Sequence, residues 1–136
     1  RRVHQFTTFA SATPFHYAIA EGLRLGDEFF ATLRADYTRR RAVLLEALAQ
    51  TPLKVFPPEG AYYVVADIST VADGASGYQW CRWLTEHVGV AAIPLEAFYL
   101  DQTCGRTLVR FAFCKRLETL HAAAERLVNL TAYAAQ

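Results

Sequence analysis

The chain has 136 residues, of which 53% are hydrophobic and 20% charged, and its formal net charge is +1. This composition suits one folded domain and excludes a disordered chain. The balance of acidic and basic side chains excludes an electrostatic case for nucleic acid or an anionic membrane as a partner. No apolar run approaches the roughly 20 residues of a membrane span.

The cysteines are three in number, Cys81, Cys104 and Cys114, and they show no metal-binding spacing. We therefore expect reduced thiols, a cytoplasmic location and no metal site. The chain begins with two arginines and contains no methionine. Since a translated chain starts with methionine, we expect this sequence to be the C-terminal part of a longer protein.

The first half of the chain predicts an extended segment followed by two helices. Residues 1–13 are rich in aromatic and β-branched side chains, which favours extended backbone. Thr13 and Pro14 resemble an N-cap and a first helical residue. The second helix is predicted from about Glu28 to Ala49, with an apolar stripe along one side.

The second half predicts strands alternating with two helices. The expected elements are strands at Leu53–Phe56 and Ala61–Asp67, a helix at Tyr78–Val88 stopped by Gly89, a strand at Val90–Pro94, a strand at Leu108–Lys115 and a closing helix at Leu117–Ala134. The second of these strands is apolar on both faces and should be central. The order predicts an α+β fold in which helices pack on one face of a small, mostly antiparallel sheet.

The last strand carries the main candidate functional residue. Its alternation puts Phe111 and Phe113 on one face and Arg110, between apolar neighbours, on the other. Arginine is always charged, and its planar fork matches a carboxylate. If it is partly buried it needs an anionic partner, which is either a structural Asp or Glu or the carboxylate of a ligand.

Four segments, taken in order, resemble one known family. They are Val3–Phe9, Pro58–Tyr63, Gly89–Leu95 followed by Phe98 and Tyr99, and Val109–Lys115 followed by Glu118, Thr119 and Leu120. Together they resemble the C-terminal domain of class I/II (fold type I) pyridoxal-phosphate aminotransferases. Within these enzymes the chain is most similar to the methionine and kynurenine aminotransferase branch.

The resemblance implies roles for three residues of this chain. Arg110 corresponds to the arginine that binds the substrate α-carboxylate with both nitrogens. Phe9 matches an aromatic position that reaches across the dimer to the neighbour's substrate pocket, although packing at an interface is an equal alternative. Tyr62, two residues after the turn glycine Gly60, is a third candidate for substrate binding, with a place in the core as its alternative.

The resemblance also implies what this chain lacks. The family's Schiff-base lysine and its contacts to the cofactor phosphate and ring lie upstream, and neither Lys54 nor Lys115 lies in such a segment. We therefore expect no catalytic or cofactor-binding residue here, and no activity from this chain alone. Two positions depart from the family pattern: Glu96 replaces a frequent Ser, and Ala10 stands where kynurenine enzymes can carry His.

The resemblance implies an intact enzyme that moves an amino group from an amino acid to a 2-oxo acid, with pyridoxal 5'-phosphate as cofactor. Its partners would be the N-terminal large domain and a second subunit of a homodimer. Residues 1–13 would belong to that large domain or to the dimer interface, and residues 14–136 to the small domain. Two alternatives stay open: a cysteine-S-conjugate or cystathionine-type β-lyase of the same fold, and a non-catalytic interaction or dimerisation module.

Overall fold

The computed structural model describes residues 2–10 and 12–130 of the chain. The described residues fall into two compact units, one up to Arg34 and one from Ala35 onward. The units reflect packing within this chain, whereas the predicted division after residue 13 concerns a larger protein and stays a prediction.

The first unit contains helices α1 (Arg2–Thr8) and α2 (Thr13–Gly22) and the start of α3 (Asp27–Ala49). The prediction of an extended backbone was therefore wrong over α1. A strand needs a partner strand for its hydrogen bonds, whereas a helix satisfies its backbone internally. A side chain adds to this, since Thr7 Oγ1 donates to the Val3 carbonyl at 2.9 Å.

The start of α2 differs from the prediction by one residue. Ala12 is the N-cap, and Thr13 is already helical, so its hydroxyl does not cap the helix. Pro14 lies in the first turn as expected. The predicted second helix is confirmed as α3, which begins at Asp27 and ends at Ala49.

The second unit holds a four-stranded sheet in the spatial order β1-β2-β4-β3. Its strands are β1 (Lys54–Phe56), β2 (Tyr63–Asp67), β3 (Ile93–Pro94) and β4 (Leu108–Ala112), and every neighbouring pair is antiparallel. The α+β fold and the central place of β2 are confirmed. Strand β3 is shorter than predicted, and Pro94 lacks an N–H for further pairing.

One face of the sheet forms the core of the second unit. Val64, Ala66, Val109 and Phe111 are buried on this face. They belong to one apolar cluster with side chains of α3, α4 (Gly77–Trp83) and α5 (Leu117–Val128), including the buried Leu48, Trp80 and Leu127. The helices therefore cover one face, as the sequence predicted.

Two helices of the second unit have well-defined ends. Helix α4 begins with a capping box, in which the Ser76 hydroxyl accepts from the Gln79 amide and the Gln79 side chain accepts from the Ser76 amide. It continues as a π-helical turn over Leu84–Val88 and ends at Gly89, as predicted. Helix α5 ends at Val128, and the predicted extension to Ala134 falls partly outside the described residues.

Gly89 provides a test of this helix end. Its φ of 72° is left-handed, and a Cβ there would lie 2.6 Å from Arg126 Nη1, which donates to the Gly89 carbonyl at 2.7 Å. We expect Gly89→Ala to lower the free energy of unfolding by about 1–2 kcal/mol from backbone strain alone. Gly60→Ala is the control, because nothing lies within 4 Å of its Cβ position. Urea unfolding monitored by circular dichroism measures the free energy of unfolding of both variants. Equal decreases in Gly89→Ala and Gly60→Ala would contradict the role of Gly89.

Candidate functional site

The face of the sheet opposite the helices carries the candidate site. Its half-buried side chains, here called the Arg110 face, are those of Tyr63, Val65, Asp67, Leu108, Arg110 and Ala112. In the strand register, Arg110 is paired with Val65 on one side and with Ile93 on the other. The alternation that buries Phe111 therefore places Arg110 near the middle of this face.

The Arg110 guanidinium lies beside two aromatic rings. Its Cζ is 4.6 Å from the ring centroid of Phe98 and 4.8 Å from that of Tyr63. Arg24, Arg39, Arg40 and Arg82 form ion pairs within the described part of the chain, whereas Arg110 forms none with the described residues. Of the two partners that the sequence left open, no structural carboxylate is therefore present among these residues.

Phe98 reaches Arg110 from a 3₁₀ turn at Glu96–Phe98. The turn is tied to the sheet because the Leu95 amide donates to the Leu108 carbonyl at 2.8 Å. Gly105 permits its close packing, since a Cβ at Gly105 would lie only 2.5 Å from Tyr99 Cδ2. Backbone pairing and a glycine contact thus fix the position of Phe98.

Two other titratable side chains of this unit, Asp67 and Cys81, have shifted pKa values. Burial raises the pKa of Asp67, but hydrogen bonds from Ser69 and Thr107 and the charge of Lys54 outweigh this, so the pKa is lowered. Asp67 is thus an anion at neutral pH, opposite the Lys54 cation in the register. Burial, with a smaller effect of Glu96, raises the pKa of Cys81 to about 12, which makes this thiol a packing residue and a poor nucleophile.

The other two candidates, Phe9 and Tyr62, lie in different units, and the Tyr62 ring packs edge-on against the Tyr63 ring with centroids 5.3 Å apart. Phe9 belongs to the first unit, where it is 90% exposed and has a φ of 49°. Tyr62 is 51% exposed, and its carbonyl accepts from the Phe113 amide at 2.9 Å. Tyr63, which the sequence reasoning missed, is the tyrosine whose ring faces Arg110.

A signal for Tyr63 existed in the sequence, but it needed the strand register. Tyr63 is paired with Ala112, two residues from Arg110, so their side chains share a face. Phe98 was a marker of the family resemblance only. Its contact with Arg110 depends on a turn that periodicity does not reveal.

A cavity of about 530 Å³ lies between β4, α5 and the segment 89–91, and Arg110 is not among its lining residues. Its lining is mainly apolar, with Lys115, Glu118 and Arg126 as the charged members. Arg126 already donates to the Gly89 carbonyl.

The two lysines of the chain are Lys54 and Lys115. Both are exposed, and Lys54 Nζ lies 5.4 Å from the ring centroid of Phe56. In the described ranges, no three His, Cys, Asp or Glu side chains gather around a possible metal position. None of the helices in those ranges has the length and apolar character that a bilayer span requires.

Comparison with known proteins identifies the family. The family model described as aminotransferase class I and II matches residues 1–127. The chain belongs to this family. The resemblance inferred from the four segments is confirmed, and with it the α+β fold of an aminotransferase C-terminal domain.

Individual relatives match over nearly the whole chain. A methionine aminotransferase of Escherichia coli (strain K12) is 41% identical over 130 residues, which are 96% of this chain and 33% of the relative. A kynurenine–oxoglutarate transaminase of Dictyostelium discoideum is 32% identical, over 93% of this chain and 34% of the relative. The chain thus spans about a third of the length of these relatives.

Solved structures give the same picture. A methionine aminotransferase from Escherichia coli superposes with a TM-score of 0.78 at 40% identity, covering 95% of this chain and 33% of that one. An N-succinyldiaminopimelate aminotransferase from Mycobacterium tuberculosis superposes with a TM-score of 0.77 at 35% identity. The match covers 91% of this chain and 32% of that one.

Proposed function

We propose that the intact protein is a pyridoxal-phosphate-dependent aminotransferase in which Arg110 binds the carboxylate of the amino acid. It would move the amino group of an amino acid to a 2-oxo acid. The observation that carries the proposal is the state of Arg110: a half-buried guanidinium beside two rings, with no carboxylate partner in the described part of the chain.

The chemistry of Arg110 suits this role. A guanidinium donates two parallel hydrogen bonds to a carboxylate, and such charge-assisted bonds contribute about 1.5–3 kcal/mol each. Two bonds also fix the orientation of the bound amino acid, which the reaction at its Cα requires. Because a strand of the sheet holds Arg110, that orientation is set by a rigid element.

The cofactor would be held outside this chain. We propose that neither of its two exposed lysines carries the cofactor and that the Schiff-base lysine lies upstream. This arrangement agrees with a chain that spans about a third of its relatives. We therefore propose that this chain supplies substrate binding, while the large domain supplies the cofactor site.

We propose donors with apolar or aromatic side chains. Some relatives are named for methionine and kynurenine, whose side chains are of these kinds. Tyr62, exposed here, would contact such a side chain, and Phe9, also exposed, would contact the donor bound in the other subunit of the dimer. The φ of Phe9 supports a role for it, since a left-handed conformation costs an L-residue about 1–2 kcal/mol and such strain clusters at ligand sites.

The first unit would pack against other parts of the intact protein. None of its described residues is buried, and it exposes large apolar side chains that include Phe6, Phe9, Phe15 and Ile19. Exposed apolar surface of this extent marks an interface. We propose the large domain or the second subunit of a homodimer as its partner.

We also propose that the intact enzyme is cytoplasmic. The three free cysteines favour this location, because thiols stay reduced there.

Substitution of Arg110 tests the proposed function. In the intact enzyme, we expect Arg110→Ala to raise the KM for L-methionine about 10- to 100-fold, because the charged hydrogen bonds are lost. The KM of Arg110→Lys should lie between those of Arg110→Ala and the unsubstituted enzyme, since lysine keeps the charge but lacks the planar fork of donors. Arg82→Ala is the control, because Arg82 is exposed and forms its ion pair with Glu86, one helical turn away.

Steady-state transfer from L-methionine and L-kynurenine to a 2-oxo acid measures these effects, and visible absorbance checks that the cofactor stays bound. An unchanged KM in Arg110→Ala would remove Arg110 from the site. Release of pyruvate from a cysteine S-conjugate, with no transfer to an added 2-oxo acid, would favour the β-lyase alternative.

Substitution of Phe9 tests the proposed donor contact. We expect Phe9→Gly to raise the KM for L-kynurenine about two- to tenfold through loss of the ring, with a smaller effect for L-alanine. Glycine accepts the left-handed φ, so the melting temperature should not fall. Phe6→Ala is the control, because Phe6 is also exposed and lies on α1, which ends at Thr8 directly before Phe9. Equal changes for both donors would show that Phe9 does not contact the side chain.

A further inference from the structure

We propose that Phe98 and Tyr63, here called the ring pair, are positioning residues that orient the Arg110 guanidinium before the amino acid arrives. We infer also that Gly105 sets the position of Phe98 without contacting Arg110. This inference rests on the proposed role of Arg110 in carboxylate binding, and the experiment below separates the two.

The distances support a specific contact between the charge and both rings. The Arg110 Cζ lies 4.6 Å and 4.8 Å from the two centroids, inside the roughly 6 Å range of cation–π attraction. The rings come from different elements, Tyr63 from β2 and Phe98 from the turn before β4. Rotation of the guanidinium away from its position would break contacts with both elements.

Aromatic partners suit a guanidinium that must still bind a ligand. An Asp or Glu partner would occupy its N–H donors and neutralise its charge, whereas a ring attracts the cation and leaves the donors available. A free arginine side chain has many rotamers, and a ligand must overcome the loss of that freedom. A guanidinium already held by rings loses less on binding, so its affinity for a carboxylate is higher.

The exposure of Phe98 fits this role better than a role in the core. Its side chain is 62% exposed, so burial alone gains little from placing a phenyl ring there. Its position is instead set by its neighbours along the chain. The Phe98 amide donates to the Leu95 carbonyl at 2.9 Å, and the Leu95 amide donates to Leu108 in β4.

Gly105 closes this arrangement from the other side. Its Cβ position lies 2.5 Å from Tyr99 Cδ2 and 3.0 Å from the Cα of Glu96, so only glycine allows the turn this close. Tyr99 follows Phe98 directly. A methyl group at Gly105 must therefore move the turn, and with it the ring of Phe98, although Gly105 makes no contact with Arg110.

The test uses the intact enzyme with matched pairs of variants. Phe98→Leu and Tyr63→Leu keep apolar volume and remove the ring, whereas Phe98→Tyr and Tyr63→Phe keep the ring. Phe56→Leu is the control, because the Phe56 ring makes the same kind of contact with Lys54 on β1.

We expect each ring-removing variant to raise the KM for L-methionine about three- to tenfold with kcat within twofold. The ring-keeping variants and Phe56→Leu should match the unsubstituted enzyme.

Binding of 3-phenylpropionate, measured by calorimetry, shows whether the ring pair acts through Arg110. This probe has a carboxylate and no amino group, so it binds without reacting. Phe98→Leu and Gly105→Ala should each weaken its binding several-fold when Arg110 is present. Neither should weaken it further in the Arg110→Ala background. The amide 3-phenylpropanamide should show no such dependence.

Two results would overturn the inference. One is that Phe98→Leu and Tyr63→Leu leave both the KM and the probe affinity unchanged. Circular dichroism and the amount of bound cofactor check that these variants are folded. The other is the same loss from Phe98→Leu with and without Arg110, which would make Phe98 a direct substrate contact. If Arg110→Ala itself leaves probe binding unchanged, the proposed function fails as well, so the two failures are distinguishable.

Discussion

The alternation of side chains along β4 is the constraint on which the second unit depends. Val109 and Phe111 are buried against the helices, and burial of each such side chain contributes about 1.5–3 kcal/mol. A shift of the register by one residue would bury Arg110 and expose both. The packing energy of the core therefore holds the guanidinium on the opposite face, beside the rings of Phe98 and Tyr63.

The two units differ in how much of their apolar surface they bury within this chain. The second unit buries a continuous cluster that includes Leu48, Trp80 and Leu127, and its sheet and helices share that core. The first unit buries none of its described residues. An aromatic ring in a strained backbone conformation, as at Phe9, is retained where surrounding structure or a ligand compensates for it. The proposed interface with the rest of the enzyme would provide that compensation.

Local sequence signals predicted the elements whose causes are local. The Arg110 strand, helix α3 and the stop at Gly89 follow from periodicity, an apolar stripe and a left-handed glycine. The extended N-terminus was wrong because aromatic and β-branched content does not decide between a strand and a short helix when no pairing is known. Tyr63 and Phe98 were missed because their contacts depend on strand register and on the path of a turn.

A crystal structure of the intact protein with 3-phenylpropionate bound tests the central claim most directly. The account predicts both carboxylate oxygens at about 2.7–2.9 Å from nitrogens of Arg110, as in charge-assisted pairs. The rings of Phe98 and Tyr63 should remain beside the guanidinium. A carboxylate bound elsewhere, or an Arg110 paired with an Asp or Glu of the intact protein, would contradict it.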